Sequence, residues 1–403
     1  MRRILLSFGM LLWVPALESA VEGETDRRWL EEGKWNADLR YRFEWVDQDG
    51  KPEDAEASTL RLRLGFTTGI TDHGFFGMVE FEGLQAVGNE EYDSTANGQT
   101  QFPVVADPED EEVNQAFLGY SGIRETLFQA GRQRITLDNH RFIGNVGWRQ
   151  LEQTYDAFTV GSTPTPDLTL FYGHLNNANR VFGEHNPTPG LAEFRLGGDL
   201  LNLAYRFPAG TLTGYAYLLE FEDVSAASHK NLGFRFDGKH PVRENLDLLY
   251  AAEFADQSDY RDAPATVDAR YLLVEGGVRL RAVTLKAGRE LLGGDGIYAF
   301  QTPLATLHAL NGWADKFLVT PPDGLEDLYL YAAATVGGFR LAGAVHDFGA
   351  DAGGADYGTE IDLSLEKPFR EIYAWGLKYA GYDSDGFATD TDKAWAWLSL
   401  RTP

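Results

Sequence analysis

Hydrophobic and polar positions alternate along nearly the whole chain. From Trp35 to Trp45 the odd positions are Trp35, Ala37, Leu39, Tyr41, Phe43 and Trp45, and the even ones Asn36, Asp38, Arg40, Arg42 and Glu44. A period of two sends the two sets to opposite faces of an extended strand. The same rhythm predicts strands over roughly 35–45, 58–70, 75–87, 113–121, 125–134, 151–162, 167–176, 198–207, 211–223, 229–238, 246–256, 268–281, 283–291, 327–336, 339–349, 357–367, 371–381 and 392–401. That makes about eighteen, an even number as in single-chain bacterial barrels.

The gaps between strands sort into two kinds. Odd gaps are mostly long: 46–57, 88–112, 135–150, 177–197, 257–267, 292–326 and 382–391. Even gaps are mostly tight, such as Thr71-Asp72-His73, Pro208-Ala209-Gly210 and Gly337-Gly338. A Gly pair suits a two-residue hairpin, where positive φ is required. The even gap 239–245 reads as a longer turn built on Pro241 and Asn245. Long on one side and short on the other predicts an all-β, transmembrane antiparallel barrel, with long extracellular loops and short periplasmic turns. A soluble sandwich needs far fewer strands and a polar outward face. Here the apolar rows, Tyr215, Tyr217, Leu219 and Phe221, or Tyr373, Trp375, Leu377 and Tyr379, are aromatic and read as lipid-facing. Tyr41 and Phe43 are expected toward lipid, and Arg40 and Arg42 inside.

Residues 1–20 read as a signal peptide, with Arg2 and Arg3 ahead of an apolar run, Ile4 to Val14, too short to span a bilayer. The barrel domain is then 21–403, in the outer membrane of a Gram-negative bacterium, in contact with its lipid and lipopolysaccharide. The absence of Cys rules out disulfides and a Cys-linked lipid anchor. Formal net charge is −26, which argues against a nucleic-acid partner. The acid gathers in gaps: Asp47, Asp49, Glu53, Asp54 and Glu56 in one, Glu90, Glu91, Asp93, Asp107, Glu109, Asp110, Glu111 and Glu112 in another. Two readings stand: a solvated loop surface, or carboxylate oxygens for divalent cations. No EF-hand spacing is present.

Opposite the apolar rows lie ionisable groups. Basic ones are Arg40, Arg42, Arg61, Arg63, Arg206, Arg235, Arg279, Arg281, Lys286 and Lys378; acidic ones include Asp38, Glu44, Glu80, Glu82, Asp156, Glu220, Glu253, Glu360 and Asp362. A charge facing mid-membrane lipid costs on the order of 2–4 kcal/mol for Arg or Lys, so these groups are expected inside. They line either a hydrated channel or an ion-pair network bracing the wall. The third long gap concentrates arginine: Arg132, Arg134, Arg141 and Arg149. An inward-folded loop bearing them would be a basic constriction, since guanidinium forks grip carboxylates. Alternatively they pair with Asp138, Glu152 and Asp156.

The stretch Gly131-Arg132-Gln133-Arg134, Arg141-Phe142, Trp148-Arg149-Gln150 and Tyr155-Asp156-Ala157-Phe158 resembles the alginate-export porin family. So does Leu291-Leu292-Gly293-Gly294-Asp295-Gly296, followed by Phe300 to His308 and by Asn311 to Phe317. The resemblance implies an eighteen-stranded outer-membrane channel whose basic constriction passes anionic solutes, in the best-known member a uronic-acid polymer. It implies Arg132, Arg134 and Arg149 as pore arginines with Asp156 as wall partner.

The leading expectation is therefore passive passage of anionic solutes, uronate polysaccharide or oligosaccharide included. A general or small-anion nutrient porin is the alternative within transport. A structural or adhesive barrel with a closed lumen is the alternative outside it. His308, Asn311 and Asp315 share the seventh long gap, but no Gly-x-Ser-x-Gly elbow or metal spacing accompanies them. Loop histidines are ordinarily just solvated. No enzymatic activity, cofactor or resident metal is expected. The same gap carries Tyr298, Phe300, Trp313 and Phe317, which suggests a loop packed over or into the mouth.

Overall fold

The computed structural model describes residues 28–402, apart from residue 189. The expected signal segment lies outside the described residues. After a short helix α1 (Arg28–Glu31) come eighteen strands: β1 (Lys34–Gln48), β2 (Ala55–Thr67), β3 (Phe75–Glu91), β4 (Asp110–Ile123), β5 (Thr126–Gln133), β6 (Thr154–Thr165), β7 (Leu168–Asn179), β8 (Glu193–Phe207), β9 (Gly210–Phe221), β10 (His229–Arg243), β11 (Leu246–Asp259), β12 (Asp268–Leu280), β13 (Val283–Leu292), β14 (Leu325–Val336), β15 (Phe339–Gly349), β16 (Asp356–Phe369), β17 (Tyr373–Ser384) and β18 (Thr391–Arg401). Each pairs antiparallel with its neighbours, and β1 pairs with β18, from Asp38↔Arg401 to Gln48↔Thr391, closing the sheet. Closure leaves no unpaired edge, which the bilayer demands.

Every strand expected from the period-two pattern is present. One turn differs. β10 runs on through Pro241 to Arg243, and the connection is only Glu244-Asn245, with Asn245 at φ 62°. Pro241 sits where a register shift already interrupts the ladder, so its missing N–H costs little.

On β1 the faces fall as the alternation requires. Leu39 and Tyr41 are exposed on the outside, while Arg42 and Glu44 are buried within. Leu62, Leu64, Leu201, Leu203, Leu328, Leu330, Ile361 and Leu363 continue the outer apolar belt. β9 reverses the expectation. Tyr215, Tyr217, Leu219 and Phe221 are buried inside, and Leu212 is exposed outside. Glu220, expected in the lumen, therefore lies on the outward row and pairs with Arg261 at 3.2 Å. Both rows of β9 are largely apolar, so alternation could not orient it. What orients it is an apolar body inside the barrel.

That body consists of loops. L3 (residues 134–153) and L7 (residues 293–324) leave the wall and fold inward. Phe142 of L3 packs on Tyr215 (5.1 Å between ring centroids), Tyr271 (5.5 Å) and Phe300 of L7 (5.8 Å). Ile143, Phe300 and Leu304 are fully buried with them. L2 (residues 92–109) bends in as well. Its Tyr92, Phe102 and Val105 form a small second core with Val46, Ala55 and Ala57 on β1 and β2.

Candidate functional site

The site begins with four arginines on two adjacent strands. Register places Arg40 opposite Arg61 and Asp38 opposite Arg63, with Arg42 one step up the inward row. Four cations on one surface would repel one another unless anions and carbonyls were drawn to them. The structure supplies both. Arg40 donates to the Gln150 side chain at 2.7 Å and to the Trp148 carbonyl at 3.1 Å. Arg42 donates to the Trp148 carbonyl at 2.6 Å and pairs with Asp107 of L2. Arg61 reaches the Gln150 carbonyl at 3.2 Å and Asp38 at 2.5 Å. Arg63 reaches the same carbonyl at 3.2 Å, pairs with Glu82, and lies 3.4 Å from Glu152. Arginine has donors only and no acceptor, so a run of loop carbonyls is a matched counterpart. These four face inward as expected, but what they grip is the returning limb of L3. They are a clamp rather than open pore lining.

Asp107 completes the clamp from above. It accepts from the Gln150 N–H at 2.9 Å and is 1% exposed. Burial opposes its charge, but Arg42, Arg149 and that N–H outweigh burial and hold its carboxyl below the usual range. From sequence it belongs to an acidic gap open to two readings, a solvated surface or cation ligands; the apolar residues around it in L2 carry it inward instead. Among the described residues, no group of three or more His, Asp or Glu side chains is placed to hold a metal ion.

The third-gap arginines part company. Arg132 and Asp156 pair at 2.9 Å, directly opposite each other on β5 and β6. They share the row of Phe128, Ala130, Phe158 and Val160, while Gln133, Tyr155, Ala157 and Thr159 are the buried row. Arg132 and Asp156 thus lie on the outward row, not in the lumen as expected. Arg134 has the same parity but stands past the last residue of β5, so the pleat no longer binds it. It turns inward and pairs with Glu152 at 2.8 Å, the alternative pairing. Burial opposes the charge of Glu152, yet Arg63 and Arg134 bring its carboxyl down to about 2. Arg149 pairs with Glu44 at 3.2 Å and with Asp315 of L7 at 3.0 Å, rather than with the carboxylates first considered. Asp138 instead accepts from Asn202 at 2.7 Å.

Two further expected lumen residues sit elsewhere. Arg281 lies in the β12–β13 turn, exposed, at φ 55°. Its strand ends one residue earlier. Arg279 faces inward but pairs with Asp247 close to that turn, near the short-turn mouth of the barrel. Arg235–Glu253 (2.7 Å) and Lys286–Glu275 (2.9 Å) form similar cross-strand braces.

Above the clamp lies a cavity of about 760 Å³, lined by L3, L4 (residues 180–192), L7 and β18. Its charged lining is Arg149, Arg180, Lys316 and Lys393 against one carboxylate, Asp315. The opposing wall is apolar: Val104, Phe182, Phe194, Leu307, Leu318 and Val319. Arg180 stacks on Phe194 at 4.0 Å and Phe182 at 4.7 Å. Burial brings its pKa down to about 10, still charged at neutral pH. Burial, with Lys393 beside it, brings Lys316 down to about 8. Asp315 accepts from Lys393 at 2.9 Å and from His308 at 2.7 Å. His308, expected to be solvated, is buried in L7, and so are Asn311 and the Asp315 carboxylate.

Of these, the sequence reading passed over Arg180, Lys316 and Lys393 as site residues. Lys393 was open to discovery, because it shares the inward row of Trp395 and Trp397. Lys316 and Arg180 lie in loops, where alternation carries no information.

Searches for a matching protein family and for a curated relative return nothing, so the resemblance to alginate export gains no support. Among solved structures the chain is similar to OccAB4 of Acinetobacter baumannii, at 15% identity over 92% of this chain and 98% of that one, TM-score 0.74. It is also similar to OpdL of Pseudomonas aeruginosa (18% identity, 93% and 99% covered, TM-score 0.70). OccK9 (OpdG) of the same organism gives 16% identity, 93% and 100% covered, TM-score 0.73. The likeness is one of fold. With its closed sheet and outer apolar belt, the chain has the architecture of a membrane-spanning β-barrel.

Proposed function

We propose that the chain is a passive outer-membrane channel for small anionic solutes. One observation carries this reading: in a protein of formal charge −26, the charged lining of the inner cavity is four cations and one carboxylate. Such a contrast does not arise by composition. A unit charge about 8 Å away contributes about 2 kcal/mol at an effective dielectric of about 20, so a few fixed cations dominate a narrow site. The cavity volume and the inward-folded L3 and L7 favour small solutes over a polymer, and the small-anion porin over uronate-polymer export.

Swelling of proteoliposomes in glucuronate and in glucose, two solutes of similar size and different charge, tests the reading. Faster entry of glucuronate is expected. Equal entry of both sugars would point to an unselective pore, and no entry of either to a closed structural barrel.

A further inference from the structure

We propose that His308 is a proton-linked positioning residue of the constriction: it bolts L7 to β17 while neutral, and releases that bolt when the His308–Lys378 pair gains a second proton. The inference rests on the channel reading above.

The bolt is defined by donor chemistry. Lys378 Nζ lies 2.7 Å from His308 Nε2. With Lys378 an ammonium, which has donors only, Nε2 is the acceptor and carries no proton. The ring proton then sits on Nδ1 and is donated to Asp315, 2.7 Å away. The ring is held flat on Trp148 of L3 (5.0 Å, 4° between planes) and edge-on to Trp395. The ammonium lies 3.7 Å from the Trp313 ring centroid and 4.2 Å from that of Trp148. One contact therefore ties three elements, L7, L3 and the wall.

The bolt also bears on the anion site. Asp315 is the group that His308 orients, and Asp315 accepts from Arg149 and Lys393. His308 lines the same cavity as those two cations.

The charges around His308 decide the sign. Asp315 faces it from its own loop, Lys378 from β17 and Arg149 from L3. Behind them stand Lys393 on β18, Arg42 and Glu44 on β1, and Asp362 on β16. Asp315 favours a second proton; Lys378 and Arg149 oppose it. Burial, the largest effect, pushes His308 well below the usual histidine range. A second proton would set two cations 2.7 Å apart inside a dry cluster. The pair separates instead, and the released ring recovers the proton affinity of an ordinary histidine. Release takes up a proton, so the released fraction grows as pH falls, by at most about tenfold per pH unit for one proton.

Single-channel recording of the full chain in planar bilayers, stepped from about pH 7.5 to about pH 4.5, is the test. Wild-type open probability is expected to rise on acidification. His308→Gln keeps an acceptor for Lys378 but does not titrate; it should stay low at both pH values. Lys378→Met removes the bolt without touching the ring; it should open more at both. If His308→Gln fails to assemble, as judged by barrel mobility in unheated gels, Lys378→Met still decides. A conducting wild type with no pH step, or either variant with the wild-type step, overturns the bolt alone. Silence of all three proteins at both pH values overturns the channel reading and the bolt with it.

Discussion

Single residues here are set by their counter-charges. Asp107 is the clearest case. It is fully buried, pairs with Arg42 and accepts from Gln150 N–H. Asp107→Asn keeps the shape and removes the charge, leaving Arg42 with Glu44 at 3.4 Å as its remaining carboxylate. Breaking a buried pair from one side costs about 3–5 kcal/mol, less where a second carboxylate remains. The expected outcome is a folded barrel whose L3 limb is loosened, seen as faster proteolysis after Arg149 than in wild type. Because its carboxyl is held below the usual range, the wild-type contact is present above about pH 4 and fades only as pH falls through that lowered value. Lys316 titrates the other way. Brought down to about 8, it is charged below that pH and neutral above it. Anion preference, read as the reversal potential in a salt gradient, should therefore weaken as pH rises through about 8. Lys316→Met should start lower and lose that step.

At the scale of elements, strands and loops differed in how far the sequence revealed them. All eighteen strands were legible because a pleat repeats every two residues and lipid outside enforces the repeat. Its failures came where that enforcement lapses. β9 has apolar residues on both rows, so Tyr217 could be placed only by knowing that Phe142 waits inside. Arg132 and Arg134 share a parity, yet the strand ends between them and they part. The loops give no period to read, so nothing in the sequence separates the buried Asp107 from the exposed acids around it. β1 offers a test of both levels. With single cysteines at positions 40 to 43, a water-soluble maleimide should react at 40 and spare 41 and 43. It should react more slowly at 42, which is fully buried under L3, than at 40, which L3 covers only in part. Fast labelling at 42 would mean that the limb is not clamped. Deleting residues 298–317 should raise conductance, because Phe300 and Leu304 fill the lumen beside Phe142. Unchanged conductance in a folded deletion variant would remove L7 from the constriction.

Across the whole molecule, charge is sorted by depth. Asp47, Asp49, Glu53, Asp54, Glu90, Glu91, Glu109 and Glu111 stand exposed at the extracellular rim, as do Asp383, Asp385 and Asp390. The cations gather below, in the cavity and at the clamp. An approaching anion therefore meets repulsion before attraction, and the two have different reach. Rim carboxylates act through water and are screened; cavity cations act across a few ångströms between low-dielectric walls and are screened much less. The Debye length is about 30 Å at 0.01 M salt and about 8 Å at 0.15 M. At the lower value the rim's field spans the mouth and should turn anions away. At the higher value it collapses to the loops, and the cavity decides. The ratio of anion to cation permeability should then increase with ionic strength, opposite to a pore whose selectivity lies in exposed fixed charge of one sign. Neutralising Asp47, Asp49 and Asp54 to Asn should raise the ratio at low salt and leave it unchanged at high salt. A ratio that falls with added salt in the wild type would place the deciding charges at the rim, and the cavity cations would then be structural counter-charges only.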